Sequence, residues 1–136
     1  QLQNRKSSLR AKEREVINLA VSQVNECAYC LAAHTALGKN VGFTDAQILD
    51  LRQGRAPFDP KLDALAAFAR ATTLDRGRPD PALTEALLAA GYTEGHLVDI
   101  VLVIGDKIIS NYLHRLTDLP LDFPAAPALD STPVHH

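Results

Sequence analysis

Both cysteines of the chain and one of its five histidines fall within the segment ECAYCLAAH, residues 26–34. If this segment is helical, the side chains of Cys27, Cys30 and His34 lie within roughly 60° of arc and form one stripe, with Tyr29 on the opposite side. Two cysteines three residues apart on a helix have Cα atoms about 5–6 Å apart, a distance that a disulfide tolerates. The spacing therefore allows the pair to cycle between dithiol and disulfide with little backbone movement.

The reactive form of a cysteine is its thiolate, and a free thiol has a pKa of about 8.5. Cys27 lies in the first turn of the predicted helix, where unpaired N–H groups favour an anion. The electrostatic field of a helix N-terminus stabilises an exposed anion by about 0.3–1 kcal/mol. A shift of one pKa unit corresponds to about 1.36 kcal/mol. The field alone therefore shifts a thiol pKa by less than one unit, and activation needs another group.

His34 is the candidate base, because helical side chains lean towards the N-terminus and His34 lies one turn beyond Cys30. Its helical rise beyond Cys27 is about 10 Å. We therefore predict that His34 deprotonates Cys30, and that Cys27 is the more exposed partner at the start of the helix. A third group that orients the imidazole would complete the arrangement seen around activated nucleophiles.

Two other interpretations of the segment stay open. Isolated cysteines are often buried small hydrophobic residues. A structural zinc site needs four ligands, and Cys27, Cys30 and His34 on one helix, with an acid or His114 as the fourth, lack the second ligand pair that zinc modules show. We favour a redox dithiol, and we expect neither a bound metal nor a cofactor.

The rest of the sequence reads as helices separated by Gly and Pro, without the alternation of strands. Leu and Ala, both good helix formers, dominate the composition. We predict an all-α single domain of about six helices, with the two cysteines at the N-terminus of a core helix and Asn25 as the N-cap of that helix. The predicted helices span residues 8–24, 27–40, 45–53, 61–74, 82–91 and 94–116.

The last predicted helix is apolar around most of its circumference from Leu97 to Ile109. A helix of this kind is normally buried on more than one side, which in a small chain predicts a subunit interface as well as a core. The helical domain is predicted to end at residue 124. Residues 125–136 form a Pro-rich tail that we expect to run extended over a neighbouring surface or to be partly disordered.

The composition excludes several classes of protein. The chain has 136 residues, enough for one domain, and a net charge of −2, which gives no general attraction to nucleic acids or anionic membranes. Two cysteines are too few for a secreted disulfide scaffold. The longest apolar run, LVDIVLVIG, is too short to span a bilayer. With no signal peptide recognised, we expect a cytoplasmic protein; because the chain begins with Gln1, we also expect an upstream segment.

One longer pattern resembles a known family. Glu15, Cys27, Cys30 and His34 follow the spacing E-x11-C-A-Y-C-x3-H, which is similar to the core motif of the alkylhydroperoxidase D-like branch of the carboxymuconolactone decarboxylase superfamily. The similarity continues through AHTALGKNVGFTDAQILDLR and returns in SNYLHRLTDLPLDFP. It therefore covers most of the chain, residues 9–124.

The resemblance implies a peroxidase that reduces alkyl hydroperoxides in antioxidant defence, with an all-helical fold assembled as a homotrimer or homohexamer. By resemblance, Cys30 attacks the peroxide oxygen and becomes a sulfenic acid, and Cys27 condenses with it to give the disulfide. His34 and Glu15 serve as the proton relay. An external dithiol of the lipoamide or thioredoxin type then reduces the pair, and a peroxiredoxin is a further expected partner.

Three glutamates are candidates for the carboxylate that contacts His34. From periodicity alone Glu15 faces away from the apolar arc of its helix and would be exposed; its spacing to Cys27 is what marks it, against Glu13 and Glu26. Tyr29 occupies the position before the second cysteine, where the best-known member of the family has a histidine. His114, on the last helix, is a second histidine that could reach the site in the same or a neighbouring subunit.

Two other functions compete with the peroxidase. The same cysteine pair would serve a thiol–disulfide oxidoreductase, a redox sensor or an electron relay that has no peroxidase activity. A decarboxylase of the muconolactone type is the third hypothesis, but decarboxylase members typically lack this dithiol.

Overall fold

The structure is a computed structural model that describes residues 7–118, 120–121 and 123–129. The predicted all-α architecture is confirmed, with six helices in these residues. Their bounds are α1 Ala11–Val24, α2 Ala28–Asn40, α3 Asp45–Arg52, α4 Pro60–Leu74, α5 Pro81–Ala89 and α6 Glu94–Thr117.

Helix α1 is the centre of the fold. It contacts α2, α3, α4 and α6, and its residues 16–23 are all buried. Because neighbours cover it on most sides, the burial includes polar side chains as well as the apolar arc, among them Asn18, Ser22 and Gln23. Such groups need hydrogen-bond partners inside the protein, and two of them help to position the site described below.

The junction between α1 and α2 differs from the prediction. Asn25, predicted as the N-cap of α2, is instead the C-cap of α1, and Cys27 is the N-cap of α2. Between them, Glu26 adopts a left-handed conformation with φ of 51°. This turn needs both Asn25 and Glu26, so α2 begins at Ala28 and Cys27 lies just outside it.

The other helix starts follow ordinary capping chemistry. Thr44 accepts a hydrogen bond from the backbone of Gln47 at the start of α3, and Thr93 accepts one from the backbone of His96 at the start of α6.

The predicted start of α1 at Ser8 is wrong by three residues, because Ser8 instead donates from its backbone and hydroxyl to Asp99 on α6. This contact anchors the chain entering α1 to α6.

Helix α6 is apolar on two sides, as predicted. Its inner side buries Ile100, Val103 and Ile104 in the core. Its outer side exposes a set of large apolar residues, which we call the α6 apolar face: Val98, Val101, Leu102, Ile109, Tyr112, Leu113 and Leu116. In the parts of the chain that the structure describes, no single helix has the length and hydropathy to cross a membrane; α5 and α6 would meet that test only as a pair, and they are bent by 119° where they join.

Of the predicted tail, residues 125–129 are described and residues 130–136 lie outside the described part. Residues 123–128 form no helix. Pro124, Ala125 and Pro127 lie against α2 and α3, where they line one wall of a pocket.

Candidate redox site

Cys27 and Cys30 are joined in a disulfide, with their Cα atoms 5.3 Å apart. The backbone N–H of Cys30 also donates to the sulfur of Cys27, at 3.2 Å. This contact arises because Cys27 is the N-cap, where an extended backbone turns the side chain back over the first turn. When the pair is reduced, the same N–H stabilises negative charge on the Cys27 sulfur.

Both sulfur-bearing residues are buried, which corrects one prediction. Cys27 is 1% exposed and Cys30 is 2% exposed, so Cys27 is not the more accessible partner. The reason is the tight junction before α2: the N–H of Cys27 donates to the carbonyl of Ser22, which folds the start of α2 back onto the end of α1. A group that reaches either sulfur must therefore enter a covered site.

His34 and Glu15 form the shortest hydrogen bond described at the site. Nδ1 of His34 lies 2.6 Å from Oε1 of Glu15, between α2 and α1. The second carboxylate oxygen of Glu15 accepts a hydrogen bond from Asn18 at 3.2 Å. Because a carboxylate accepts, it holds the proton on Nδ1 and leaves Nε2 of His34 as the nitrogen that can take another proton.

Glu15 is therefore not the exposed residue that periodicity predicts. Its side chain is only 12% exposed, because α1 is covered by other helices on its polar side as well. The competing carboxylates lie elsewhere: Glu13 accepts a hydrogen bond from the hydroxyl of Tyr92 at 2.6 Å, and Glu26 lies in the turn before Cys27. Only Glu15 of these three contacts His34.

Lys107, on the inner side of α6, is a residue that the sequence analysis did not single out. It is buried, and burial lowers its pKa, against the opposite effects of the Glu15 and Asp106 carboxylates. A signal was present in the sequence: Lys107 continues the buried spacing of Ile100, Val103 and Ile104. It brings a positive charge from α6 towards the Glu15–His34 pair.

A buried amide connects α6 to the turn that carries Cys27. Asn111 is fully buried; it donates to the hydroxyl of Ser22 at 3.1 Å and accepts from Asn25 at 3.0 Å. One turn later, Arg115 donates to the carbonyls of Asn25 and Glu26. These contacts fix the turn before Cys27 from outside α1 and α2, so α6 is a positioning element of the site.

An aromatic cluster forms around Tyr29, the residue that separates the two cysteines in sequence. The ring of Tyr29, between the two cysteines, stacks on His114 with centroids 4.2 Å apart, and Phe123 meets Tyr29 edge-on at 6.2 Å. Nδ1 of His114 is buried and, within the described residues, has no hydrogen-bond partner. His114 is therefore in contact with Tyr29, the residue between the two cysteines in sequence, within the same subunit.

The residues considered as zinc ligands are bonded to other groups in this structure. The two sulfurs are bonded together, and Nδ1 of His34 is bound to Glu15. Across the described ranges, no three His, Cys, Asp or Glu side chains converge closely enough to hold a metal ion.

Comparisons with known proteins agree with the motif. A family model described as "Carboxymuconolactone decarboxylase family" matches residues 2–73. Uncharacterized protein YdfG of Bacillus subtilis (strain 168) is 29% identical over 102 residues, which are 74% of this chain and 69% of that protein.

A solved structure has a similar fold. It is an uncharacterized peroxidase-related protein from Silicibacter sp. TM1040, with a TM-score of 0.76 and 28% sequence identity. The match covers 88% of this chain and 63% of that chain, so this chain spans less than two thirds of the length of that protein. The family predicted from Glu15, Cys27, Cys30 and His34 is confirmed: the chain belongs to the carboxymuconolactone decarboxylase family.

Proposed function

We propose that the protein is a thiol-dependent peroxidase that reduces alkyl hydroperoxides through Cys27 and Cys30. The observation that carries the proposal is the Glu15–His34 contact, one helical turn beyond a cysteine pair that closes a disulfide. The family supports it, as does a structural neighbour described as peroxidase-related.

The first step starts from the reduced pair. Nε2 of His34 takes the proton of the Cys30 thiol, and Glu15 stabilises the imidazolium through Nδ1. The Cys30 thiolate attacks one peroxide oxygen, the O–O bond breaks, and the alkoxide leaves as the alcohol after it takes the proton from His34. The sulfur loses two electrons to the peroxide and becomes a sulfenic acid.

The second step closes the disulfide. The Cys27 thiol loses its proton, its sulfur attacks the sulfur of the sulfenic acid, the S–O bond breaks, and the leaving hydroxide takes up one proton to become water. The helix N-terminus that stabilises the Cys27 sulfur contributes only about 0.3–1 kcal/mol. Because this effect is small and His34 lies one helical turn beyond Cys30 on α2, we assign the attack on peroxide to Cys30 and the resolving step to Cys27.

The pair then needs an external dithiol, which forms a mixed disulfide and leaves oxidised. Because both cysteines are buried, a slender dithiol on a flexible arm, of the lipoamide type, reaches the sulfurs more readily than the broad surface of a thioredoxin-type protein. A peroxiredoxin is a further proposed partner. It would accept electrons from the reduced Cys27–Cys30 pair in place of the peroxide.

The test is a rapid-quench experiment on the reduced protein with cumene hydroperoxide, followed by thiol alkylation and mass spectrometry. We expect both thiols to be lost at least about 10²-fold faster than a free thiol, the usual scale of general-base assistance. Cys30→Ser should abolish this reaction. Cys27→Ser should retain the first step and accumulate the sulfenic acid.

The other hypotheses give different results. Exchange with dithiols at an ordinary rate, without accelerated reaction with peroxide, would replace the peroxidase by a thiol–disulfide oxidoreductase or electron relay. Decarboxylation of a muconolactone that survives the double substitution of Cys27 and Cys30 by Ser would favour the third hypothesis.

A further inference from the structure

Arg52, the last residue of α3, is a fully buried cation. Its Nε donates to the side-chain oxygen of Gln23 at 2.9 Å. Its two terminal nitrogens, Nη1 and Nη2, are buried and have no hydrogen-bond partner, and neither does Nε2 of Gln23. In the part of the chain that the structure describes, no carboxylate forms an ion pair with Arg52.

This charge cannot be removed by deprotonation. Burial lowers the pKa of Arg52, but a guanidinium stays protonated in proteins. A buried cation without an anion is costly, and unpaired buried donors add to that cost. The position is therefore one at which binding an anion removes an existing penalty.

Arg52 also lines a pocket of about 390 Å³ between α2, α3 and the described part of the tail. The hydroxyl of Thr35 on the α2 side is buried and unpartnered as well. Lys39 and Asp45, which line the pocket too, form an ion pair with each other at 2.9 Å. Among the described lining residues, the uncompensated charge is thus the guanidinium of Arg52.

Most of the remaining wall is apolar, with Ala32, Ile48, Leu49 and Pro124 among its residues. On α2, the lining residues Ala32, Thr35 and Lys39 follow a stripe whose centre lies roughly 150° around the helix from the stripe of Cys30 and His34. The pocket is therefore on the opposite side of α2 from the disulfide.

We propose that this pocket is a binding site for a small organic monocarboxylate. Because Nη1 and Nη2 of Arg52 and the Thr35 hydroxyl are buried behind the pocket wall, binding includes a small movement of wall side chains. The carboxylate then accepts hydrogen bonds from Arg52 in the bidentate geometry that guanidinium favours, with Thr35 as a further donor. The apolar body of the ligand packs between α2, α3 and residues 124–127. One buried positive charge in an apolar wall fits a singly charged organic acid better than a doubly charged phosphate.

The experiment is a calorimetric titration of the full chain with hexanoate, compared with neutral hexanamide and inorganic phosphate. We expect hexanoate to bind with one site per chain, and hexanamide to bind at least tenfold more weakly. Arg52→Gln should weaken hexanoate binding about ten- to hundredfold, the scale of hydrogen bonds to a charged group. The matched control is Arg55→Gln, because Arg55 is exposed and pairs with Asp50 outside the pocket.

Several outcomes would overturn the proposal: no saturable binding of hexanoate, equal binding of hexanamide, tighter binding of phosphate, or unchanged affinity in Arg52→Gln. If Arg52→Gln does not fold, as judged by circular dichroism, Thr35→Val decides instead. That variant removes an unpartnered hydroxyl with little change of shape, and it should fold and bind hexanoate severalfold more weakly. Unaltered affinity in Thr35→Val would then refute the site.

Discussion

At the scale of single residues, the candidate site depends on one carboxylate that touches one imidazole. Glu15 holds Nδ1 of His34 at 2.6 Å and is itself held by Asn18. In the proposed reaction this carboxylate both orients the ring and stabilises its positive charge after proton transfer. The two roles can be separated, since an amide preserves the shape but not the charge.

Glu15→Gln should slow the reaction of Cys30 with cumene hydroperoxide by about 10²-fold, the lower end of what general-base catalysis contributes. The rapid-quench measurement described above gives the rate. The matched control is Glu26→Gln, which removes a carboxylate from the turn before Cys27 and should change the rate by less than threefold, roughly the size of a weak surface charge effect. A fully active Glu15→Gln protein would remove Glu15 from the mechanism.

The types and spacing of Cys27, Cys30 and His34 on one helix suggested them as candidates, and only the family resemblance suggested Glu15; the structure brings the two cysteines together and places Glu15 against His34. The solvent exposure of these residues could not be predicted from the sequence. Cys27 is covered because the turn through Glu26 folds onto α1, and Glu15 is covered because α1 has no solvent-facing side in its middle. Both facts depend on how several helices pack, which local periodicity does not contain.

At the scale of elements, the loop between α5 and α6 is connected to the first turn of α1. The hydroxyl of Tyr92 in this loop donates to the buried carboxylate of Glu13. Burial acts to raise the pKa of Glu13, but the hydrogen bonds from the Arg10 backbone and Tyr92 outweigh it, so the pKa lies below its usual value. Glu13 therefore stabilises the fold above its unfolded pKa, and this contribution is lost as the pH falls through the folded pKa.

Tyr92→Phe should lower the free energy of unfolding at pH 7 by about 1.5–3 kcal/mol, because it removes a hydrogen bond to a charged group. The loss should be smaller at an acid pH below the folded pKa of Glu13, where protonation of Glu13 weakens the contact in the unsubstituted protein as well. Urea unfolding at the two pH values measures this, with Glu85→Gln, at an exposed position on α5, as the control. An equal loss at both pH values would contradict the coupling.

The helices themselves followed from Gly and Pro positions, apolar spacing and capping residues such as Thr44 and Thr93. The errors lie at the ends where a long-range contact replaces a local cap. Ser8 is bound to Asp99 across the fold, and Asn25 is bound to Asn111. In both cases a residue type that favours a helix N-cap forms a side-chain hydrogen bond with α6 instead.

At the scale of the whole molecule, the α6 apolar face is the largest feature that the fold leaves unexplained. Seven large apolar side chains of one helix are exposed, whereas soluble monomers seldom expose such contiguous surface. The resemblance stated above implies trimers or hexamers. We therefore expect copies of this chain to associate through α6.

Leu102→Glu and Leu113→Glu, each on the α6 apolar face, should shift the sedimentation coefficient from that of an oligomer to that of a monomer, because a buried carboxylate without a partner is costly at an interface. Leu88→Glu, at an exposed position on α5, is the control and should leave the assembly unchanged. A monomeric unsubstituted protein in analytical ultracentrifugation would contradict the expectation.

The bond between Cys27 and Cys30 bridges residues only three apart in sequence, at the very start of α2. In the chain-entropy description, a ring this short restrains the unfolded chain by about 2 kcal/mol, against nearly 5 for a ring of a hundred residues. Making or breaking it thus changes the global stability only modestly. In the proposed cycle, the cysteine pair can therefore alternate between its two redox forms with only a modest change in the stability of the fold.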